Sequence, residues 1–430
     1  MVISKRGLVL SSTAVVLSTV AVTGAGVRLS QSQAFFQDSP KEIVDEVWQI
    51  INYQYVDTSF NNLNWQQIRQ DYLERSYTDK EDAYKAIREM LEKLGDPYTR
   101  FMDPEEFKNM QIDTSGELTG VGIQIAKDEE TDQLIVISPI EDTPAYEAGI
   151  LAKDIITEID GTSTKGMDVN EAVKLIRGKP GSKVTLTIER DGESVNYDIV
   201  RAKIQIHPVR AEIKDTSIGK VGSIRLTQFS AQASQEMREA IEELEQKQVQ
   251  GYILDLRSNP GGLLYSSIDI ARMWLDQGTI VSTVDRGGER ERKSANNNAL
   301  TNKPLVVLVD GGSASASEIL SGALQDNKRA VLVGTQTFGK GLVQSVRSLG
   351  DGSGLAVTIA KYLTPSGRDI NKEGIAPDIT IELSEAERKK LQENRDLIDT
   401  LEDPQFAKAL EILGGEIKAH QSGDNHAVSK

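Results

Sequence analysis

Residues 41–110 carry their apolar side chains at helical spacing. In KEIVDEVWQIINYQY, Ile43, Val44, Val47, Ile50 and Ile51 fall on one face. In DKEDAYKAIREMLEKLG, Ala83, Ile87, Met90, Leu91 and Leu94 do the same, and Gly95 supplies a C-terminal stop. DPYTRFMDPEEF then reads as a proline-punctuated connection. Over residues 112–203 the pattern shortens. The runs GVGIQIA, LIVISPI, DIITEIDG, KVTLTIER and NYDIVRA predict strands around two short helices, PAYEAG and DVNEAVKLIRG. From residue 205 strands and helices alternate. VGSIRL, GYILDLR, PLVVLVD, AVLVG and GLAVTIAKYL read as strands; SAQASQEMREAIEELEQ, PGGLLYSSIDIARMWL and SASEILSGALQD read as helices. Strands this uniformly apolar belong to a sheet covered on both faces, so the fold class is α/β with several domains.

The chain divides into five segments: 1–34, a helical region at 35–111, a small β-rich domain at 112–203, an α/β core at 204–383, and a charged helical region ending in a polar tail at 384–430. In the first, Lys5 and Arg6 precede a stretch uncharged from Gly7 to Val27. A basic start before an apolar run is the pattern of an export signal, with cleavage after Ala25 or Ala34. The competing reading is an uncleaved anchor that associates the chain with a membrane, since 21 uncharged residues just suffice to span one. Either way the main body is exported.

Composition removes several functions. The 430 residues contain no cysteine, which excludes a thiol nucleophile and a thiolate metal site. The formal net charge is −16, the wrong sign for sequence-independent nucleic-acid binding. The only histidines are His207, His420 and His426, too few and too scattered for a histidine metal site. A histidine-dependent serine hydrolase would have to use His207, and no G-x-S-x-G elbow is present.

GTQTFGKG, residues 334–341, superficially resembles a phosphate-binding loop. That loop needs Ser or Thr after its lysine and a helix behind it. Here Gly341 follows Lys340, and LVQSVRSLGDGSG is strand-like and turn-like. Lysine has a second chemistry: burial lowers its pKa and makes it a base. Phe338 is the neighbour that would cover it, although an ordinary surface lysine in a glycine turn fits the same residues. DGGSASASEIL (310–320) runs from a buried strand through small residues into a helix, which presents a serine hydroxyl at a helix N-terminus. Ser313, Ser315 and Ser317 all qualify. LDLRSNPGGLL (254–264) repeats the strand–turn–helix arrangement, with amides at Gly261 or Gly262 to hold an oxyanion.

LDLRSNPGG, SASASEILSGALQD, GTQTFGKGLVQ and GIAPD together, in that order, resemble the carboxy-terminal processing peptidases, Ser/Lys-dyad endopeptidases with an inserted PDZ domain. The resemblance covers roughly residues 41–383. It implies an α/β catalytic core of the ClpP/crotonase type. It also implies Ser315 as nucleophile, Lys340 as general base and Gln344 as the residue orienting that lysine. The amides of Gly261 and Ala316 would be the oxyanion donors. No metal or cofactor is implied. Residues 112–203 resemble the PDZ domain: LTGVGIQI matches its carboxylate-binding loop, with Gly120, Val121, Gly122 and Ile123 receiving a free C-terminus. Ala172, Val173 and Ile176 would line the groove beside it. The implied partners are protein substrates, held by their free C-termini. The wording of the motifs is closest to cyanobacterial and plastid members, which places the protein in the thylakoid lumen or periplasm. One branch of that family trims a photosystem II reaction-centre precursor. A PDZ adaptor on an inactive protease scaffold is the non-enzymatic alternative.

Overall fold

The computed structural model describes residues 39–422 except 129, 130, 141, 191 and 289. The expected export signal or anchor at 1–34 and the end of the polar tail, 423–430, lie outside the described residues. The chain forms two compact units. One holds the described residues up to Thr114 together with those from Pro208 onward; the other is Ser115–His207.

The larger unit begins with three helices, α1 (Pro40–Gln54), α2 (Trp65–Glu74) and α3 (Lys80–Glu92). Pro40 occupies the first turn of α1, where its missing N–H costs nothing. Asn64 and Asp79 cap the other two through bonds from Gln67 N and Asp82 N. Their apolar faces bury Val44, Val47, Ile51, Ile87 and Met90 in one cluster with Leu355 and Val357. A short strand β1 (Arg100–Met102) and helix α4 (Pro104–Ser115) come next.

The smaller unit contains β2 (Glu117–Gly120), β3 (Ile123–Lys127), β4 (Leu134–Pro139), α5 (Pro144–Glu147), β5 (Ile155–Ile159), β6 (Thr162–Ser163), α6 (Val169–Ile176), β7 (Lys183–Arg190), β8 (Glu193–Val200) and β9 (Ala202–Gln205). Its main sheet runs β3-β4-β5-β7-β8, so β3 is an edge strand. Its entry and exit strands pair with each other, Glu117 opposite Gln205.

The larger unit resumes with β10 (Val209–Thr216), β11 (Gly219–Leu226), α7 (Ala233–Gln246), β12 (Gly251–Asp255), α8 (Leu264–Trp274), β13 (Thr279–Asp285), β14 (Arg290–Ser294), β15 (Leu305–Val309), α9 (Ala316–Asp326), β16 (Val331–Gly334), β17 (Leu342–Ser348), β18 (Gly354–Leu363), β19 (Ile379–Thr380), α10 (Glu385–Glu393) and α11 (Pro404–Ser422). One sheet is ordered β10-β11-β12-β15-β16-β19 and is parallel from β11 onward. Side chains alternate across it with period two. Leu254, Val307 and Leu332 share a core with residues of α7, α8 and α9. Ile253, Val306, Leu308 and Val333 share the opposite core with Phe406, Leu413 and Ile417 of α11. The C-terminal helix, which its sequence shows only as charged, is therefore the second cover that the uniformly apolar strands require.

The other sheet runs β1-β18-β13-β14, with β17 also on β18. The β13–β14 hairpin leaves no strand signal in the sequence, because VSTVDRG and ERKSAN are too polar for a buried strand. At the base of the first sheet, Arg257 is held by Asp255 (2.9 Å), Asp403 (2.8 Å) and Asp399 (3.3 Å), which ties the end of β12 to the segment leading into α11.

Candidate active site

The strand β15 delivers the chain to Asp310, and α9 starts six residues later. Ser313 and Ser317 are committed to the scaffold: Ser313 Oγ donates to the Leu256 carbonyl (2.8 Å) and Ser317 Oγ to the Asn259 carbonyl (2.9 Å). Ser315 is different. It is the N-cap of α9, fully buried, with φ at 56°. A non-glycine residue in that region is held there by its surroundings at a cost of about 1–3 kcal/mol. The surrounding that holds it is Glu318. Glu318 Oε2 accepts from the Ser315 N–H (2.8 Å) and also from the Lys340 N–H (2.9 Å). Its Oε1 accepts from Thr337 Oγ1 (2.6 Å) and Gly339 N (2.7 Å). Burial pushes this carboxyl above its ordinary range, while Thr337 and the three amides pull the other way.

Lys340 is fully buried, and its Nζ has no hydrogen-bond partner among the described residues. The ammonium position lies 4.6 Å from the centre of the Tyr98 ring. Burial, with Arg100 adding repulsion, lowers the amine to about 7 against weaker attraction from Asp96 and Glu318. Phe338, the cover expected from the sequence, is 45% exposed. Its backbone N–H bonds the Ser313 carbonyl, which turns the loop so that the phenyl ring faces outward. Tyr362 of β18 closes the site from below. Its phenol donates to the Lys340 carbonyl, and the Ser315 side chain opposes the burial that pushes this phenol well above its ordinary value.

Gln344 is buried on β17 opposite Thr358, and its Nε2 donates to Thr358 Oγ1 at 3.3 Å. Its Oε1, like Lys340 Nζ, has no partner among the described residues. A register shift between Val343 and Gln344 breaks the simple alternation that would put 340 and 344 on one face. Lys340 is not in a phosphate loop: it leads into the strand β17, where such a loop requires a helix.

Gly261 has φ at 101°, and a Cβ on it would lie 2.7 Å from the Ala314 carbonyl and 3.0 Å from Ala316 N. This close approach brings the Gly261 turn against the start of α9, where the Ala316 N–H belongs to the first helical turn and has no acceptor within the helix. The Gly261 N–H itself donates to Asn259 Oδ1 (2.9 Å). His207 is exposed and ends the smaller unit, and His420 is exposed on α11. Among the described residues no group of carboxylates and histidines is placed to hold a metal, and no helix is long and apolar enough to cross a membrane.

In the smaller unit, Gly120 ends β2, and Val121 and Gly122 link it to Ile123, the first residue of β3. Gly122 has φ at 85°, and a Cβ there would strike Thr143 at 2.3 Å. The carbonyls of Val121 and Gly122 are bonded by Ala145 N (2.9 Å) and Ile140 N (2.8 Å), which fixes the loop from inside. The free side of the edge strand β3 is available for strand addition. Ala172 and Ile176 are buried in the unit's core, whereas Val173 is half-buried.

The sequence shows Glu318 only as a helix-capping residue and gives no sign of Tyr98 or Tyr362. The S-x-x-E spacing of Ser315 and Glu318 is a readable signal; the tyrosines give none, because they arrive from distant parts of the chain.

The profile of peptidase family S41 matches residues 220–381, and that of the PDZ domain residues 135–190. The carboxyl-terminal-processing protease of Synechocystis is 46% identical over 396 residues, covering 90% of each chain. The chloroplastic carboxyl-terminal-processing peptidase 2 of Arabidopsis thaliana is 42% identical over 77% of this chain and 67% of its own. Among solved structures, a photosystem II D1 C-terminal processing protease superposes with a TM-score of 0.56 at 38% identity, covering 80% of this chain and 93% of its own.

Proposed function

This chain belongs to peptidase family S41 and is a carboxyl-terminal-processing serine endopeptidase acting on protein substrates; from that premise we propose that Ser315 is its nucleophile and Lys340 its general base. The observation that carries this assignment is the pair of buried groups whose backbones share one carboxylate oxygen, one a strained helix-capping serine and the other a lysine with its pKa lowered to about 7. Neutral Lys340 takes the Ser315 proton as Oγ attacks the scissile carbonyl. The Ala316 amide receives the oxyanion, joined by that of Gly261 once it leaves Asn259. Lys340 then protonates the leaving amine, and water hydrolyses the acyl-enzyme. Gln344, whose Oε1 is buried without a partner among the described residues, has the role of orienting the lysine amine.

The segment at 112–203 serves as the PDZ domain and binds the free C-terminus of the substrate at the Gly120–Ile123 loop. Val173 faces the bound tail, and Ala172 and Ile176 support it from the core. Residues 204–383 carry the chemistry. The N-terminal 34 residues direct export, and the cyanobacterial and chloroplastic relatives favour the periplasm or thylakoid lumen over other compartments. The substrate with the best support is the precursor of the photosystem II D1 protein, on the likeness to its processing protease.

Lys340→Ala and His207→Ala, compared on a tail-bearing peptide, test the assignment. The first abolishes cleavage and the second retains it; full activity in Lys340→Ala overturns the dyad. Incubation with the D1 precursor tests the substrate, and an untrimmed precursor at stoichiometric enzyme removes it.

A further inference from the structure

The general base accepts a proton during acylation and becomes an ammonium ion inside a site that holds it away from water. Lys340 Nζ has no hydrogen-bond acceptor among the described residues, so something else must accommodate that charge. The group in position is an aromatic ring, 4.6 Å from the nitrogen. We propose that Tyr98 is a positioning residue of the dyad, its ring face locating Lys340 Nζ and stabilising the ammonium that forms when Ser315 is deprotonated. The proposal rests on Lys340 being the general base.

The loop that carries the ring is held by its own hydrogen bonds. Asp96 Oδ1 accepts from the Tyr98 N–H (2.9 Å), and Asp96 Oδ2 from Thr99 Oγ1 (2.7 Å). Thr99 Oγ1 in turn accepts from the Thr358 N–H (3.0 Å), and the next residue, Arg100, pairs with Ala356 of β18. Thr358 is also the partner of Gln344. The loop that presents Tyr98 is thus bonded to the strand behind the lysine, and ring and amine share one frame. Burial, with Asp96 and Glu318 adding to it, raises the Tyr98 phenol above its ordinary value, so the ring stays neutral and meets the cation through its π face.

The charged and titratable groups around the amine are Arg100 from β1, Asp96 from the loop, Glu318 from α9 and the phenols of Tyr98 and Tyr362. Arg100 disfavours the ammonium; Asp96 and Glu318 favour it without touching it. The ring face is the contact that strengthens as charge arrives. In the step itself, the proton passes from Ser315 Oγ to Nζ, the Oγ–carbon bond forms, and the carbonyl electron pair moves to the oxyanion. Stabilising the ammonium lowers that barrier.

Two sets of variants separate this role from simple packing. Tyr98→Phe keeps the ring face and retains kcat and the pH profile. Tyr98→Leu keeps the site dry without a ring face, so kcat falls about tenfold and the acid limb moves to lower pH. Tyr98→Ala admits water, which raises the lysine pKa and moves the limb to higher pH. A variant that merely lowers the folded fraction moves neither limb. Phenylalanines of increasing fluorination at position 98 keep the shape while weakening the π face, and kcat falls stepwise along them. Constant kcat through that series, or Phe and Leu variants with equal kcat and the same limb, overturns the proposal. Loss of cleavage in Lys340→Ala alongside a flat Tyr98 series leaves the dyad standing and removes only the role of Tyr98. Cleavage in Lys340→Ala removes both.

Discussion

Glu318 Oε2 accepts the backbone N–H of Ser315 and that of Lys340, at 2.8 and 2.9 Å. One oxygen therefore sets the spacing between two residues that the chain separates by a helix and a strand. Glu318→Gln keeps the size of the side chain but turns an NH2 towards amides that need an acceptor. The expected result is a loss of about 1–3 kcal/mol in stability for the amides left unpaired. A fall in kcat of about 100-fold accompanies it, from displacement of the proposed dyad. Chemical denaturation and single-turnover kinetics measure the two, and unchanged kcat would show that the dyad does not depend on this carboxylate.

Lys340→Met should abolish cleavage and stabilise the fold. The folded chain holds the amine at about 7, against 10.5 for the ordinary side chain. Between those values the unfolded chain binds the extra proton, so the penalty of burying Lys340 grows as pH falls from 10.5 and is complete below 7. A tenfold change in proton affinity corresponds to about 1.4 kcal/mol, and the gain from methionine is on the order of a few kcal/mol at pH 6. It vanishes near pH 11. Melting temperatures of both proteins across that range test the sign. The wild-type kcat/KM should rise with pH through a limb near the same value of about 7.

Much of this architecture can be read from the chain, and the failures have identifiable causes. The helices at 41–94 and the alternation from 205 follow from period and composition. The choice among Ser313, Ser315 and Ser317 does not, because it depends on which hydroxyls meet the carbonyls of Leu256 and Asn259 in the neighbouring loop. Adjacency in sequence points to Phe338 as the cover over Lys340, whereas Tyr98 supplies it from a loop bonded to β18. The apolar stripe of Phe406, Leu413 and Ile417 in α11 is hidden among charges, although a sheet apolar on both faces demands a second cover.

Asp399→Asn should raise the melting temperature at pH 7.5. Burial, and then the neighbouring Asp255, push the Asp399 carboxyl up to about 6 from 3.8, against the opposing pull of Arg257 and Arg225. The folded chain therefore binds the proton more tightly than the unfolded one. The cost of a charged Asp399 is complete above pH 6 and fades as pH falls towards 4. The advantage of asparagine should shrink over that window in parallel melting curves. An equal difference at both ends contradicts it.

Gly122→Ala places a Cβ 2.3 Å from the Thr143 hydroxyl at a φ of 85°, a conformation alanine resists. It should raise KM for a protein substrate with a free tail while leaving cleavage of a short tailless peptide near the wild-type rate. Equal losses on both substrates would mean that the Gly120–Ile123 loop does not read the tail.

The pairing of Glu117 with Gln205 means that the chain enters and leaves the smaller unit through a single doorway. Hosting such a module imposes little loop-closure entropy on the host, however large the module is. The proposed reader of substrate tails is in that sense a cassette. Its specificity can be rewritten, by evolution or by grafting, without re-threading the chain around Ser315 and Lys340.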